Sequence, residues 1–170
     1  MIWSIIVAGA LQMEGQIDQI DRKLLDVVQN DARLSFREIG RRVGMSTPAV
    51  AERIRRLEAA GIIRGYAAQV DRAALGREIG AFVRLSVSDT DFRRVSGLCR
   101  SLDAVVECHH ITGEDCFVIR VAVASITELE DVISRFRKIG SAQSSVILSS
   151  PVDGKPVPVD GALLPPAAVR

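Results

Sequence analysis

The chain has 170 residues, 48% hydrophobic and 4% aromatic, with 22 basic and 21 acidic side chains and a net charge of +1. That length holds one large domain or two small ones, each with a modest core, and the apolar share excludes a largely disordered chain. The near-neutral total gives no whole-chain sign of a nucleic-acid partner or an acidic substrate.

Met1 to Leu11 is an apolar run. A membrane span needs about 20 apolar residues, and the basic start of a signal peptide is missing. Residues 1–16 are expected to be a disordered extension with Met13 as the natural start, a small packing strand being the alternative. Ile17, Ile20, Leu24, Leu25 and Val28 then recur at helical spacing, with Asp18 placed to cap the start. Ser35 to Glu38 has the form of a capping box ahead of Ile39 and Val43, and Gly44 supplies a stop. The next helix opens at Ser46 or Thr47 with Pro48 in its first turn. Val50, Ile54 and Leu57 form its apolar stripe and Gly61 ends it. Ile62, Ile63 and Tyr66 to Val70 read as strand, and Asp71 to Gly80 as a hinge.

Beyond the hinge the period changes. Ala81 to Val87 alternates, with Phe82, Arg84 and Ser86 on one side and Val83, Leu85 and Val87 on the other. Phe92 to Leu102 is helical, and Val105–Thr112 and Cys116–Ala124 are strands around a turn at 113–115. A helix opens on a Thr127-x-x-Glu box and carries Leu129, Val132, Ile133, Phe136 and Ile139 on its apolar face. Ser145–Ser149 is the last strand. The order βαββαβ predicts an α+β unit, a four-stranded antiparallel sheet with two helices on one face. Residues 151–170, with prolines among small residues, read as a disordered tail.

Charge is unevenly distributed. Residues 1–30 hold two basic and four acidic side chains, 31–64 eight arginines and four acids, and 65–170 twelve basic and thirteen acidic. The positive excess sits on the helix–turn–helix segment, where it would attract DNA phosphates. In such a motif the second helix enters the major groove. The helix over 47–60 turns Pro48, Glu52, Arg55 and Arg56 outward when its apolar stripe faces in. Ser46, Thr47, Pro48, Ala51 and Glu52 are candidate base readers: Thr and Ala suit a thymine methyl, and Glu accepts from cytosine N4. Arg53, Arg55 and Arg56 are expected on phosphates, with Arg55 also in reach of a guanine. Ser35 and Arg37 suit backbone anchoring. Ser35 and Ser46 also read as helix caps.

These residues resemble a known family. The runs Ile20-Asp21-Arg22-Lys23-Leu24-Leu25, Arg33-Leu34-Ser35, Val43-Gly44-Met45-Ser46, Val50 to Glu58 and Gly61 to Tyr66 look like the Lrp/AsnC transcriptional regulators, the feast/famine regulatory proteins. Ile111 to Phe117 and Val146 to Pro151 look like their effector-sensing domain. The resemblance runs from about residue 17 to 155 in family order. It implies a winged helix-turn-helix over 17–64, a linker strand and hinge over 65–80 and a ferredoxin-like domain over 81–150 that senses effector and dimerises sheet to sheet. Such dimers often assemble into octamers, and the family commonly binds free amino acids between subunits. The family's effector turn maps onto Gly113, Glu114 and Asp115, with Ser144 a further candidate. Gly suits a tight turn that offers backbone N–H groups to a carboxylate. Many members place an acid three residues after this glycine; here that position is Cys116, and Asp115 comes one earlier.

Cys99, Cys108 and Cys116 are an odd number without framework spacing, which fits a reduced cytosolic protein. Cys108, His109, His110 and Cys116 lie close in sequence but lack common zinc spacing. With the turn at 113–115, Cys108 is expected opposite Arg120 rather than Cys116. Siroheme decarboxylases resemble the same architecture, yet no nucleophile–base pair or phosphate loop is seen. A ligand sensor without DNA binding is the third class, and the arginine-rich helix argues against it. The reading is a cytoplasmic, nucleoid-associated regulator, not an enzyme, without metal or cofactor. Its partners are double-stranded DNA, a small amino acid or related metabolite, and a second copy of itself; no membrane is involved.

Overall fold

The computed structural model describes residues 17–88, 91–112 and 116–159. The chain divides into two units, one formed by residues up to Ala68 together with those from Val152, the other by Gln69–Pro151.

The first unit is helical. Helix α1 (Gln19–Asn30) starts at a reciprocal cap: Asp18 accepts the Ile20 and Asp21 backbone N–H groups, and Asp21 accepts the Asp18 N–H. Helix α2 (Phe36–Val43) is capped by Ser35, whose hydroxyl accepts the Glu38 N–H at 3.2 Å. Only this half of the expected box forms, because the Glu38 carboxylate is drawn to Arg41 at 2.6 Å. Helix α3 is Thr47–Ala59. Leu24, Val28, Ile39, Val50 and Ile54 meet in one core, with Val43 and Met45 against it.

The turn between α2 and α3 is held by two glycines. Gly44 adopts φ +75, the left-handed region where a side chain is strained. Gly40 lies so close to the Met45 carbonyl that a Cβ there would sit 2.4 Å from its oxygen. The Met45 N–H also donates to Gly40 O at 2.8 Å.

Two expectations change in this unit. Residues 62–70 form no strand. Gly61 and Gly65 both turn to positive φ there. Residues 152–159, expected as the start of a free tail, run beside α1. Gln29 exchanges two hydrogen bonds with the Val157 backbone, each 3.2 Å, and Arg22 donates to Val159 O.

The second unit is a four-stranded sheet in the order β2-β3-β1-β4, from β1 (Ile79–Ser86), β2 (Val105–His110), β3 (Phe117–Val123) and β4 (Ser141–Val146). Every pairing is antiparallel. Helices α4 (Phe92–Ser101) and α5 (Ile126–Arg137) pack on it. Ala81, Val83 and Leu85 of β1 and Ile119, Val121 and Val123 of β3 meet Val95, Val132 and Phe136 of the helices. The expected alternation along β1 holds: Val83 and Leu85 are buried and Phe82 and Arg84 exposed.

Three local details differ. Helix α5 is capped by Ser125 rather than Thr127: the Ser125 hydroxyl accepts the Glu128 N–H, and Glu128 accepts the Ala124 N–H. The last strand begins four residues earlier than expected, following directly on Gly140, where a Cβ would strike the Ser86 carbonyl. An irregularity between Val105 and Glu107 shifts the β2–β3 register, so Cys108 faces Ile119 and Glu107 faces Arg120.

Candidate DNA-recognition surface and effector site

Helix α3 shows two chemically different faces. Val50, Ile54 and Leu57 are buried, as their spacing requires. Thr47, Pro48, Glu52, Arg55 and Arg56 are exposed, as are Ser46 before them and Ser35 and Arg37 at the start of α2. Ser46 occupies the cap position of α3 yet makes no side-chain cap hydrogen bond. The expected capping role therefore holds for Ser35 and not for Ser46. Arg55 reaches Glu52 at 2.8 Å, with both side chains well exposed, a pairing that water and competing phosphates open at little cost.

Two arginines expected on phosphates are engaged with carboxylates at the start of α1. Arg53 Nη1 lies 2.8 Å from Asp21 Oδ1 and 2.5 Å from Asp18 Oδ2. Arg56 Nη2 lies 2.5 Å from Asp21 Oδ2. Asp21 is the buried charged residue of this core, with 0% exposure. A buried carboxylate needs paired, hydrogen-bonded partners, and α3 supplies them three residues apart. The pair thus fixes α3 against α1. The Asp21 backbone N–H, with Arg53 beside it, holds the Asp18 carboxyl below its ordinary range. Asp21 and then Asp18 push the Arg53 pKa upward.

Ala51 is also corrected. It is buried beside Val50, because a stripe of three apolar residues on a helix shields its small neighbour too.

Tyr66 adds a contact outside the sequence reading. Its hydroxyl donates to Glu58 Oε1 at 2.8 Å at the end of α3. Partial burial and the Glu58 carboxylate push its pKa up to about 12.

Of the effector candidates, Gly113, Glu114 and Asp115 lie outside the described residues. Ser144 is exposed on β4, opposite Val83. Cys116, the next residue in sequence, donates its thiol to Val87 O at 3.4 Å. His110 is packed against the rings of Phe92 and Phe117, each centroid 5.1 Å away. His109, its neighbour on the other side of the strand, lies 3.5 Å from Glu107. Among the described residues no three His, Cys, Asp or Glu side chains gather as a metal site, and no helix is long and apolar enough to cross a membrane.

An exposed helix behind a tight turn in one unit, and a βαββαβ sandwich in the other, define a helix-turn-helix regulator with an attached ligand domain. Residues 17–58 match the AsnC-type helix-turn-helix domain and residues 80–157 the Lrp/AsnC ligand binding domain. The chain belongs to the Lrp/AsnC family of DNA-binding transcriptional regulators. It is 33% identical over 134 residues to the HTH-type transcriptional regulator LrpC of Bacillus subtilis, covering 79% of this chain and 93% of that one. The solved structure of B. subtilis LrpC superposes with a TM-score of 0.76 over 82% of this chain and 99% of its own. A feast or famine regulatory protein from M. tuberculosis, solved in complex with L-methionine, is 32% identical. It covers 80% of this chain and 95% of its own, with a TM-score of 0.75.

Proposed function

We propose that this regulator reads DNA with the exposed face of α3 and changes its DNA binding when an amino-acid-like effector occupies the second unit. Ser46, Thr47, Pro48 and Glu52 approach base edges, Arg55 leaves Glu52 for a phosphate or a guanine, and Ser35 and Arg37 hold the backbone. Arg53 and Arg56 hold the reading helix in place. The observation that carries this reading is the division of labour on α3: its apolar stripe and Arg53 are engaged inward while its first turn is exposed and uncapped by side chains.

A second copy completes the reading head. Sheet residues on the side away from α4 and α5 include Phe82, 40% exposed, and this face supports pairing of two chains. Two recognition helices then enter successive major grooves about 34 Å apart and select a pseudo-palindrome. The effector is placed at Gly113, Glu114 and Asp115, with Ser144 on β4. The methionine complex of the M. tuberculosis relative supports an amino acid. The coupling rests on different effector affinity in two assembly states. Regulation rather than catalysis is the activity, and the site of action is the cytoplasmic nucleoid.

The test is a labelled duplex carrying the promoter of the protein's own gene, titrated at several salt concentrations with and without each amino acid. Binding that weakens steeply with salt and shifts with one amino acid is expected. Absence of salt-sensitive binding overturns the DNA assignment. Retention of the response in Gly113→Trp moves the effector site elsewhere.

A further inference from the structure

Cys99 and Cys108 are nine residues apart in sequence and neighbours in space. Cys99 is buried on the inner face of α4 and Cys108 is exposed on β2. The register irregularity after Val105 puts Cys108 opposite core residue Ile119, on the helix side of the sheet. There the two thiols lie near enough to perturb each other's ionisation. Both line an open cleft of about 500 Å³ whose charged groups are Arg100, Asp103 and Glu107. Cys116 has no such neighbour; its thiol is spent on the Val87 carbonyl.

The geometry points to Cys99 and Cys108 as a peroxide-sensitive thiol pair, oxidised to an intramolecular disulfide that ties helix α4 to strand β2. The exposed sulfur is the one poised to react. The neighbouring Cys99 thiol, with His109 nearby, lowers the Cys108 pKa to about 7 against its desolvation. The same contact and burial push Cys99 upward. An accessible thiolate beside a protonated resolving thiol is the arrangement redox-sensing cysteines share.

The chemistry balances in two steps. The Cys108 thiolate attacks one oxygen of a hydroperoxide; an S–O bond forms, the O–O bond breaks, and the departing alkoxide takes a proton from solvent. The Cys99 sulfur then attacks the sulfenic sulfur. The S–S bond forms, the S–O bond breaks, and hydroxide leaves as water with the Cys99 proton. Two thiols lose two electrons, and the peroxide becomes an alcohol and water.

The experiment treats the full-length Cys116→Ser protein with hydrogen peroxide and maps its peptides by mass spectrometry without reduction. A cross-linked pair, Val95–Arg100 joined to Ser101–Arg120, is expected, and dithiothreitol reverses it. With Cys99 also replaced by Ser, dimedone captures sulfenic acid at Cys108. In the unmutated protein, which needs no substitution to fold, iodoacetamide alkylates Cys108 roughly threefold faster at pH 7 than an ordinary exposed thiol, since higher thiolate fraction outweighs lower nucleophilicity. Free thiols at both positions after peroxide treatment, or Cys108 linked only to another chain, overturn the proposal.

Discussion

Arg53 Nη1 stands 2.8 Å from Oδ1 of the fully buried Asp21, and this contact joins the recognition helix to the first helix of its unit. Arg56 holds the other carboxylate oxygen. Breaking a buried pair from one side costs about 3–5 kcal/mol, because the partner's charge is left behind. The half-exposed Arg56 can recover water, so Asp21→Ala is expected near the lower end of that range. Chemical denaturation, following the helical unit, measures it. An unchanged midpoint would mean that the pair contributes no net stability.

Arg55 and Arg53 separate two roles that their common charge conceals. Arg55→Ala removes an exposed cation bound, among the described residues, to Glu52 alone. It is expected to leave stability unchanged, weaken DNA binding and lower the salt slope by about one. Arg53→Ala is expected to cost stability first, with DNA binding lost through displacement of α3. Equal stability losses in the two variants would contradict this assignment.

The fold was legible where it depended on local pattern. The stripes of α1, α2 and α3 and the alternation of β1 follow from the spacing of Val, Leu and Ile, and their order implied both units. What escaped was set by long-range pairing. Asp21 falls on the same stripe as Leu24, Leu25 and Val28, so an acid facing the core was visible. Its partners were not, because Arg53 and Arg56 lie more than thirty residues on. The same holds for Cys108, whose cross-strand partner is decided by one irregular residue in β2. The α5 cap was expected at Thr127 and falls instead to Ser125, which has the extended backbone of a cap.

Acid should loosen the start of α1. The Asp18 carboxyl titrates below its ordinary value of 3.8, first because the Asp21 N–H bonds its charged form and then because of Arg53. A carboxyl lowered on folding stabilises the folded state above its unfolded pKa, and that contribution disappears as pH falls through the lowered value. The helical unit should therefore hold its stability above about pH 5 and lose part of it below about pH 4. Asp18→Asn keeps the cap oxygen without the charge, so it should show a shallower acid loss. A matching profile in wild type and variant would assign the acid sensitivity to other carboxylates.

Gly40 and Gly44 give the sharpest contrast in the recognition motif. At Gly44 the obstacle is conformational: φ is +75 and the space beyond is open, so Gly44→Ala is expected to cost about 1 kcal/mol. At Gly40 the obstacle is backbone, since the new Cβ would lie 2.4 Å from Met45 O. That carbonyl cannot move alone, because the Met45 N–H is bonded to Gly40 O. Gly40→Ala must therefore push the turn, and the start of α3 with it, away from α2. A cost of about 2–3 kcal/mol is expected, in the range for overpacked sites. DNA affinity should fall more than for Gly44→Ala when both are compared at full folding. Denaturation curves and duplex titration of the two variants side by side measure both effects. If Gly40→Ala binds DNA as wild type does, the close approach of α2 to the Met45 carbonyl does not set the pose of the reading helix.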